Sequence, residues 1–336
     1  MRASSVFLAG LLAGASAFLS PSTTPSTVAM ASVPRASVFY DTFIADLPSM
    51  AGKTVAVTGA SRGLGFVTAV ALARLGARVC VLNRPSARGA AALAAIAAAA
   101  TGEAPFAIDC DLLDFASVRN AAAQLLERTD GLDALCLNAG IMMAPAAASA
   151  DGYDVTASSN VLSHVLLTRE LLPALLKAAK RGEARIVSMS SGSGFGGPEF
   201  DAAFFARRGS DVGGGYPAYH QSKLANLIFT AALHDRLRGT GVKALACTPG
   251  VCGTDMFLGV AGPGADLARV QSPEDGALAQ MLCLCGTVES GQLFGPIGGG
   301  GLPIELPLQR PNVLVDEDAK ARLWQACEAA IGPFDI

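Results

Sequence analysis

Tyr219 and Lys223 stand four residues apart in Tyr219-His220-Gln221-Ser222-Lys223, and Ser191 lies upstream in Ser190-Ser191-Gly192. A phenol, an ammonium and a hydroxyl held together can move a proton to or from an alcohol or a carbonyl oxygen. Positions i and i+4 of a helix share a face, so the phenol and the ammonium would meet. An isolated tyrosine titrates near pH ~10. A neighbouring ammonium favours phenolate, so the spacing predicts that Lys223 lowers that value while also reaching the ribose of a bound nucleotide. Ser191 would hold the substrate oxygen against the phenol. His220 points to another helix face and is not read as the base. No Gly-x-Ser-x-Gly elbow surrounds Ser191, which argues against a serine hydrolase.

The chain also carries a group of residues suited to a hydride carrier. Thr58-Gly59-Ala60-Ser61-Arg62-Gly63-Leu64-Gly65 follows a short apolar run and opens a helical one. Gly59, Gly63 and Gly65 permit a tight turn and close backbone approach to a pyrophosphate, with Ser61 and Leu64 inside the turn. The helix that follows offers its first N–H groups to the phosphates. A carboxylate after the second strand would bind an adenosine ribose diol. This chain has Asn83-Arg84 there, and Arg62 within the turn, so two guanidiniums favour NADP(H) over NAD(H). Asp111-Leu112, after the third strand, would face the adenine, and Asn138-Ala139-Gly140 offers a small backbone where the cofactor passes.

These residues need a scaffold that brings them to one edge. Strands are expected at 53–58, 78–82, 104–108, 134–137, 185–189 and 243–247. Helices are expected at 64–75, 87–100, 117–128, 154–179 and 219–237. Strands alternating with helices imply a Rossmann-type α/β fold, a doubly wound parallel sheet with helices on both faces, in one domain over 41–336. The chemical residues fall just after strands, where ligands bind in such sheets. Residues 192–217 break the rhythm and read as a substrate-facing insert; 255–269 reads as a second lid. Phe195, Phe200, Phe204, Phe205, Met256 and Phe257 suggest a lipophilic substrate.

The bulk numbers narrow the classes. Half of the 336 residues are hydrophobic (51%) and only 16% are charged, with a formal net charge of -3, so a large core is affordable and nothing suggests nucleic acid. The eight cysteines, Cys80, Cys110, Cys136, Cys247, Cys252, Cys283, Cys285 and Cys327, lack C-x-x-C knuckles and read as reduced, buried thiols, with no metal site. His164 and His234 read as satisfied structural residues, and Trp324 as a packing anchor. Residues 1–40 read as a leader: Arg2, an apolar run from Val6 to Phe18 too short to span a bilayer, then a Ser/Thr/Pro-rich stretch with Arg35 and no acid. Ala15-Ser16-Ala17-Phe18 resembles the bipartite leaders of proteins imported into secondary plastids. The alternative is a secretory signal followed by a linker.

Thr58-Gly59-x-x-x-Gly63-x-Gly65, Asn138-Ala139-Gly140, Ser191, Tyr219-x-x-x-Lys223, and Pro249-Gly250 with Thr254 together resemble the short-chain dehydrogenase/reductase family over about 51–332. The resemblance implies that Asn160 completes the catalytic set, holding a relay water near Lys223, and that Thr254 helps seat the nicotinamide carboxamide. Leu82-Asn83-Arg84, the insert and Ser222-Lys223-Leu224-Ala225-Asn226 are similar to the retinol dehydrogenase and protochlorophyllide reductase branch. Leu137 stands where many members carry another Asn, and the distinctive longer insert of the pigment reductases is not found. The expected activity is therefore reduction of a lipophilic carbonyl by NADP(H), or the reverse. Two alternatives are a pigment-reducing enzyme and a dinucleotide-binding redox sensor without turnover. The resemblance leaves room for membrane-surface association and for a homo-oligomer formed through the helix bearing Tyr219.

Overall fold

The computed structural model describes residues 35–206, 214–262, 264–308 and 315–336. The leader expectation for residues 1–34, and the part of the insert at 207–213, lie outside them.

Six strands form the body of the sheet: β1 (Thr54–Thr58), β2 (Arg78–Asn83), β3 (Phe106–Asp109), β4 (Ala134–Leu137), β5 (Ala184–Met189) and β6 (Val242–Cys247). Each is a short run rich in Val, Leu, Ile, Ala or Cys. Most of their residues are buried, as strands covered on both faces require. Two three-residue strands complete the sheet: β7 (Leu293–Gly295), and β8 (Ile304–Leu306), which pairs with it antiparallel. The spatial order is β3-β2-β1-β4-β5-β6-β7-β8. The order reverses between β1 and β4, and there the carboxyl ends of the strands part to form a crevice.

One face packs α4 (Phe115–Arg128), α5 (Ser163–Ala179), α6 (Gly215–Arg236) and α9 (Glu317–Ile331). The other packs α1 (Tyr40–Ala45), α2 (Gly63–Arg74), α3 (Ala87–Ala99) and α8 (Leu278–Cys285). The other described α-helices are two short turns, Val155–Ala157 and Pro273–Gly276, and α7 (Asp255–Ala261), which has no buried residue and meets Arg62 of the glycine turn through Asp255. The alanine-rich α3 begins where Ser86 Oγ accepts the Gly89 N–H at 3.0 Å, the usual remedy for an orphan first-turn donor.

The eight cysteines are free and buried. Burial pushes the thiols of Cys110, Cys252, Cys285 and Cys327 up to about 12, which makes them inert at neutral pH. Trp324 stacks between Phe229 and Phe334, as a packing anchor should. α6 is buried along nearly its whole length, with α9 across it. Residues 38–40 are docked: the N–H groups of Val38, Phe39 and Tyr40 all donate to the buried Asp275 carboxylate.

Candidate active site

β5 ends at Met189, and its carbonyl is the fixed point of the site. It accepts from Lys223 Nζ at 2.9 Å and from Asn226 Nδ2 at 3.0 Å, so two turns of α6 hang on one strand end. Ser190 ties the same helix down by donating to the Lys223 carbonyl at 2.8 Å. Ser191, the next residue, is half-exposed and hydrogen-bonds the Tyr219 hydroxyl. Lys223 Nζ lies 5.6 Å from the centre of the Tyr219 ring. Phenol, hydroxyl and ammonium therefore do meet. The electrostatics differ from the expectation: burial is the largest influence on both groups. It pushes the Tyr219 phenol up to about 12, against the Ser191 hydrogen bond, and pushes Lys223 down to about 8. A protonated phenol at neutral pH is equipped to give a proton rather than take one.

Asn160 lies close by, but its side chain serves the backbone. Its Oδ1 accepts the Ile141 N–H at 2.8 Å, and its Nδ2 donates to the Ile141 carbonyl at 2.9 Å and to Ser222 Oγ at 3.0 Å. Ser222 in turn donates to the Tyr219 carbonyl at 2.7 Å. Asn160 thus joins the 138–141 loop to the helix of Tyr219. The long helix expected from 154 is interrupted here by a π-helical turn, Ser158–Leu162, of the kind that often marks functional sites. His164, read from sequence as merely structural, bonds the Asn160 main chain on one side and Thr58 Oγ1, at 3.0 Å, on the other. It connects the glycine turn to the catalytic neighbourhood. Only its spacing from Asn160 hinted at this.

The glycine turn has the shape a dinucleotide needs. A side chain at Gly59 would come within 2.9 Å of Ala139, and one at Gly65 within 2.6 Å of the Gly59 carbonyl. Gly63 instead stands at φ 56, and a Cβ there would meet Thr254 Cγ2 at 3.7 Å, an ordinary contact. Asn138 and Ala139 donate their N–H groups to Thr58 Oγ1, each at 3.0 Å, and Asn138 Nδ2 reaches the Thr58 carbonyl at 2.9 Å. A Cβ on Gly140 would sit 3.3 Å from Asn160 Oδ1 and 3.5 Å from Lys223 Nζ, so the line of small residues runs from the turn to the ammonium. Ser61, Leu64, Asn138, Ala139 and Gly140 are all half-buried along it. The donors and the missing side chains fit a dinucleotide.

The remaining candidates sit at its ends. Asn83 Oδ1 accepts the Ala60 N–H at 2.9 Å, so this side chain holds the turn itself. Asp111 is turned inward, its Oδ1 accepting the Leu113 N–H at 3.0 Å. The Leu112 carbonyl takes Ser158 Oγ at 3.0 Å and Ser163 Oγ at 2.7 Å. Arg84 is exposed just after β2. Arg62 meets Asp255 of α7 at 2.9 Å, and Arg88 approaches the same carboxylate at 3.8 Å. Arg88 was not anticipated: its single charge on an alanine helix carries no motif. Pro249 and Gly250 are held by Gln271 and by the β7–β8 hairpin, whose Gly299 carbonyl accepts the Val251 N–H at 2.7 Å. Thr254 caps α7 and borders Gly63.

The insert is a packed segment in its described part. Phe204 and Phe205 are each 1% exposed and Phe200 5%, all within the core beneath α9. These three rings anchor the insert and do not face a substrate. Phe257 is half-buried and Met256 is exposed, while Phe195 is half-buried and packs against the core. Met143 joins them, exposed and at φ 58, a backbone strain that sequence patterns do not reveal. No described helix is long and apolar enough to cross a membrane.

Known proteins share this arrangement. The family model for short chain dehydrogenase matches residues 53–261. Mouse retinol dehydrogenase 12 is 40% identical over 200 residues, 60% of this chain and 61% of the relative. The first relatives are thus matched over about six tenths of their own length. Mouse retinol dehydrogenase 14 is 34% identical over 305 residues, 84% of this chain and 87% of the relative. Mouse polyprenol dehydrogenase is 32% identical over 287 residues, 83% of each chain. A crystal structure from Mycobacterium paratuberculosis superposes with TM-score 0.68 at 32% identity, covering 87% of this chain and 98% of that one. A short chain dehydrogenase from Burkholderia cenocepacia in complex with NADP gives TM-score 0.60 at 30% identity, covering 74% and 98%.

Proposed function

This chain belongs to the short chain dehydrogenase family of oxidoreductases, and from that premise we propose that it reduces a lipophilic carbonyl to an alcohol with NADPH. The observation that carries the reading is the Tyr219 hydroxyl, bonded to Ser191 and beside the Lys223 ammonium at the end of a line of glycines and small residues.

NADPH, when bound, supplies the hydride. The chain's residues do the rest. Tyr219, protonated at neutral pH, gives its proton to the carbonyl oxygen as that oxygen gains charge. Ser191 is placed to share the same oxygen and orient it. Lys223, with Met189 and Asn226 fixing it, stabilises the phenolate that remains. Asn160 keeps the 138–141 backbone and α6 in register, so the phenol and the cofactor strip do not drift apart. Gly59, Gly63, Gly65 and the first N–H groups of α2 would hold the pyrophosphate. Arg62 and Arg84 would take the 2′-phosphate, with the neighbouring NADP complex in support. Thr254, with Pro249 and Gly250, would border the nicotinamide.

The substrate class rests on Phe195, Phe257, Met143 and Met256 around the site and on relatives named for retinol and polyprenol. Import into a plastid, self-association and contact with a membrane surface belong to the same reading. The test is NADPH consumption by the full chain with retinal, apocarotenals, medium-chain aldehydes and quinones. Tyr219→Phe should bind NADPH as before and lose turnover. Full activity in that variant overturns the mechanism.

A further inference from the structure

Three consecutive residues of α6 divide between two neighbours. Tyr219 faces Ser191. His220 and Gln221 face the insert. The His220 Nδ1 lies 2.5 Å from the Ser193 carbonyl, and its Nε2 lies 2.9 Å from the Pro198 carbonyl. Gln221 Nε2 donates to the Glu199 carbonyl at 2.9 Å, and Gln221 Oε1 accepts the Asp201 N–H at 3.0 Å. Both side chains are buried, at 1% and 3% exposure. The contact is close: a Cβ on Gly197 would fall 2.5 Å from the His220 ring. The polar hold on the segment from Ser193 to Asp201 therefore comes chiefly from the two residues that follow the proposed proton donor, beside the apolar anchor of Phe200 in the core. The α9 residue Arg322 adds one bond, to the Phe200 carbonyl at 3.3 Å.

Resting on the function proposed above, we propose that His220 and Gln221 are positioning residues that set substrate selection by holding 193–201 as one wall of the carbonyl pocket. Phe195, half-buried within the clamped segment and packed against the core, moves with that wall. The segment starts at Ser191, whose Oγ accepts the Ser193 N–H at 3.2 Å, so a shift of the wall begins beside the reacting oxygen. The hydroxyl–phenol pair needs neither His220 nor Gln221. Loosening the clamp should cost a bulky apolar carbonyl its binding and leave chemistry on a compact one.

The experiment uses the full chain with His220→Ala, His220→Asn, Gln221→Ala and Gln221→Glu. His220→Asn keeps a donor near the Ser193 carbonyl, and Gln221→Glu keeps the acceptor for Asp201, so each is a partial rescue should the alanine variant fold poorly. Hydrogen exchange of peptides over 192–206 reads the clamp without turnover. NADPH-dependent kinetics with retinal and with hexanal read the selection. Expected are faster exchange confined to 192–206, a kcat/KM for retinal lower by about tenfold through KM (two hydrogen bonds of ordinary worth), unchanged kcat on hexanal, and intermediate values in the rescue variants. Equal losses on both aldehydes, or no change in either, overturn the selection role. Unchanged exchange overturns the clamp. If the wild-type protein turns over neither aldehyde, the functional reading falls, and exchange alone judges the clamp.

Discussion

The Thr58 hydroxyl lies 3.0 Å from His164 Nε2 and also accepts the backbone N–H groups of Asn138 and Ala139. With both lone pairs taken, its own proton faces the imidazole and, at 3.4 Å, the Cys136 carbonyl. His164 is then neutral, with its other nitrogen bonded to the Asn160 main chain, and burial holds it down at about 3. In the unfolded chain a histidine titrates near 6.5. Between pH 6.5 and 3 the unfolded state binds a proton that the folded state refuses. Stability must fall as pH drops through that window, by up to about 1.4 kcal/mol per pH unit from this residue. Urea unfolding of wild type and His164→Gln from pH 7 to 4 should give curves that converge toward acid. Parallel curves would remove His164 from the account.

The lowered Lys223 sets a limit at the other end. Its ammonium is present below about 8 and is lost above it. Reductive kcat/KM should therefore fall through that pH. An arginine keeps its charge to beyond pH ~12. Lys223→Arg should be less active, because it cannot copy the Met189 and Tyr219 geometry, but should lack the fall near 8. The same descending limb in both proteins would mean that another group controls it.

Arg62 and Arg88 share the Asp255 carboxylate, and all three side chains are more than half exposed. Such pairs contribute little stability, yet the carboxylate competes with any phosphate for the same guanidiniums. Asp255→Asn should lower the KM for NADPH severalfold, and Arg62→Gln or Arg84→Gln should raise it about tenfold, with NADH unaffected. The gain in Asp255→Asn should shrink in high salt. Equal effects on NADPH and NADH would place these charges away from the 2′-phosphate.

The six central strands were legible because each is a short apolar run closed by turn or polar residues, such as Val55-Ala56-Val57-Thr58 before Gly59. β7 and β8 were not: three residues each, set among glycines and prolines, leave no period to read. The π-helical turn at Ser158–Leu162 was equally hidden, since its residues carry no pattern that separates it from the α-helix around it. Ser191, Tyr219 and Lys223 announce themselves by type and spacing, and the structure brings them together. The direction of the Tyr219 shift could not be read that way. Spacing shows the neighbouring charge, and burial, the larger influence, appears only when the chain is folded. Phe204 and Phe205 show the same limit: an apolar cluster in a loop looks like a binding wall until α9, over a hundred residues later, is seen to cover it.

The hold of Asp275 on residues 38–40 has a consequence for how this protein can be trimmed. Asp275 is 4% exposed, and three of its hydrogen bonds come from the N–H groups of residues 38–40. A protease or an expression boundary that passes Val38 strips partners from a sheltered anion one at a time, each bond to a charged group being worth about 1.5–3 kcal/mol. Cutting after residue 40, where the leader composition ends, would take them all. A boundary before Val38 leaves the anion satisfied, so the protein's tolerance of shortening is decided by a residue 235 positions away from Tyr40.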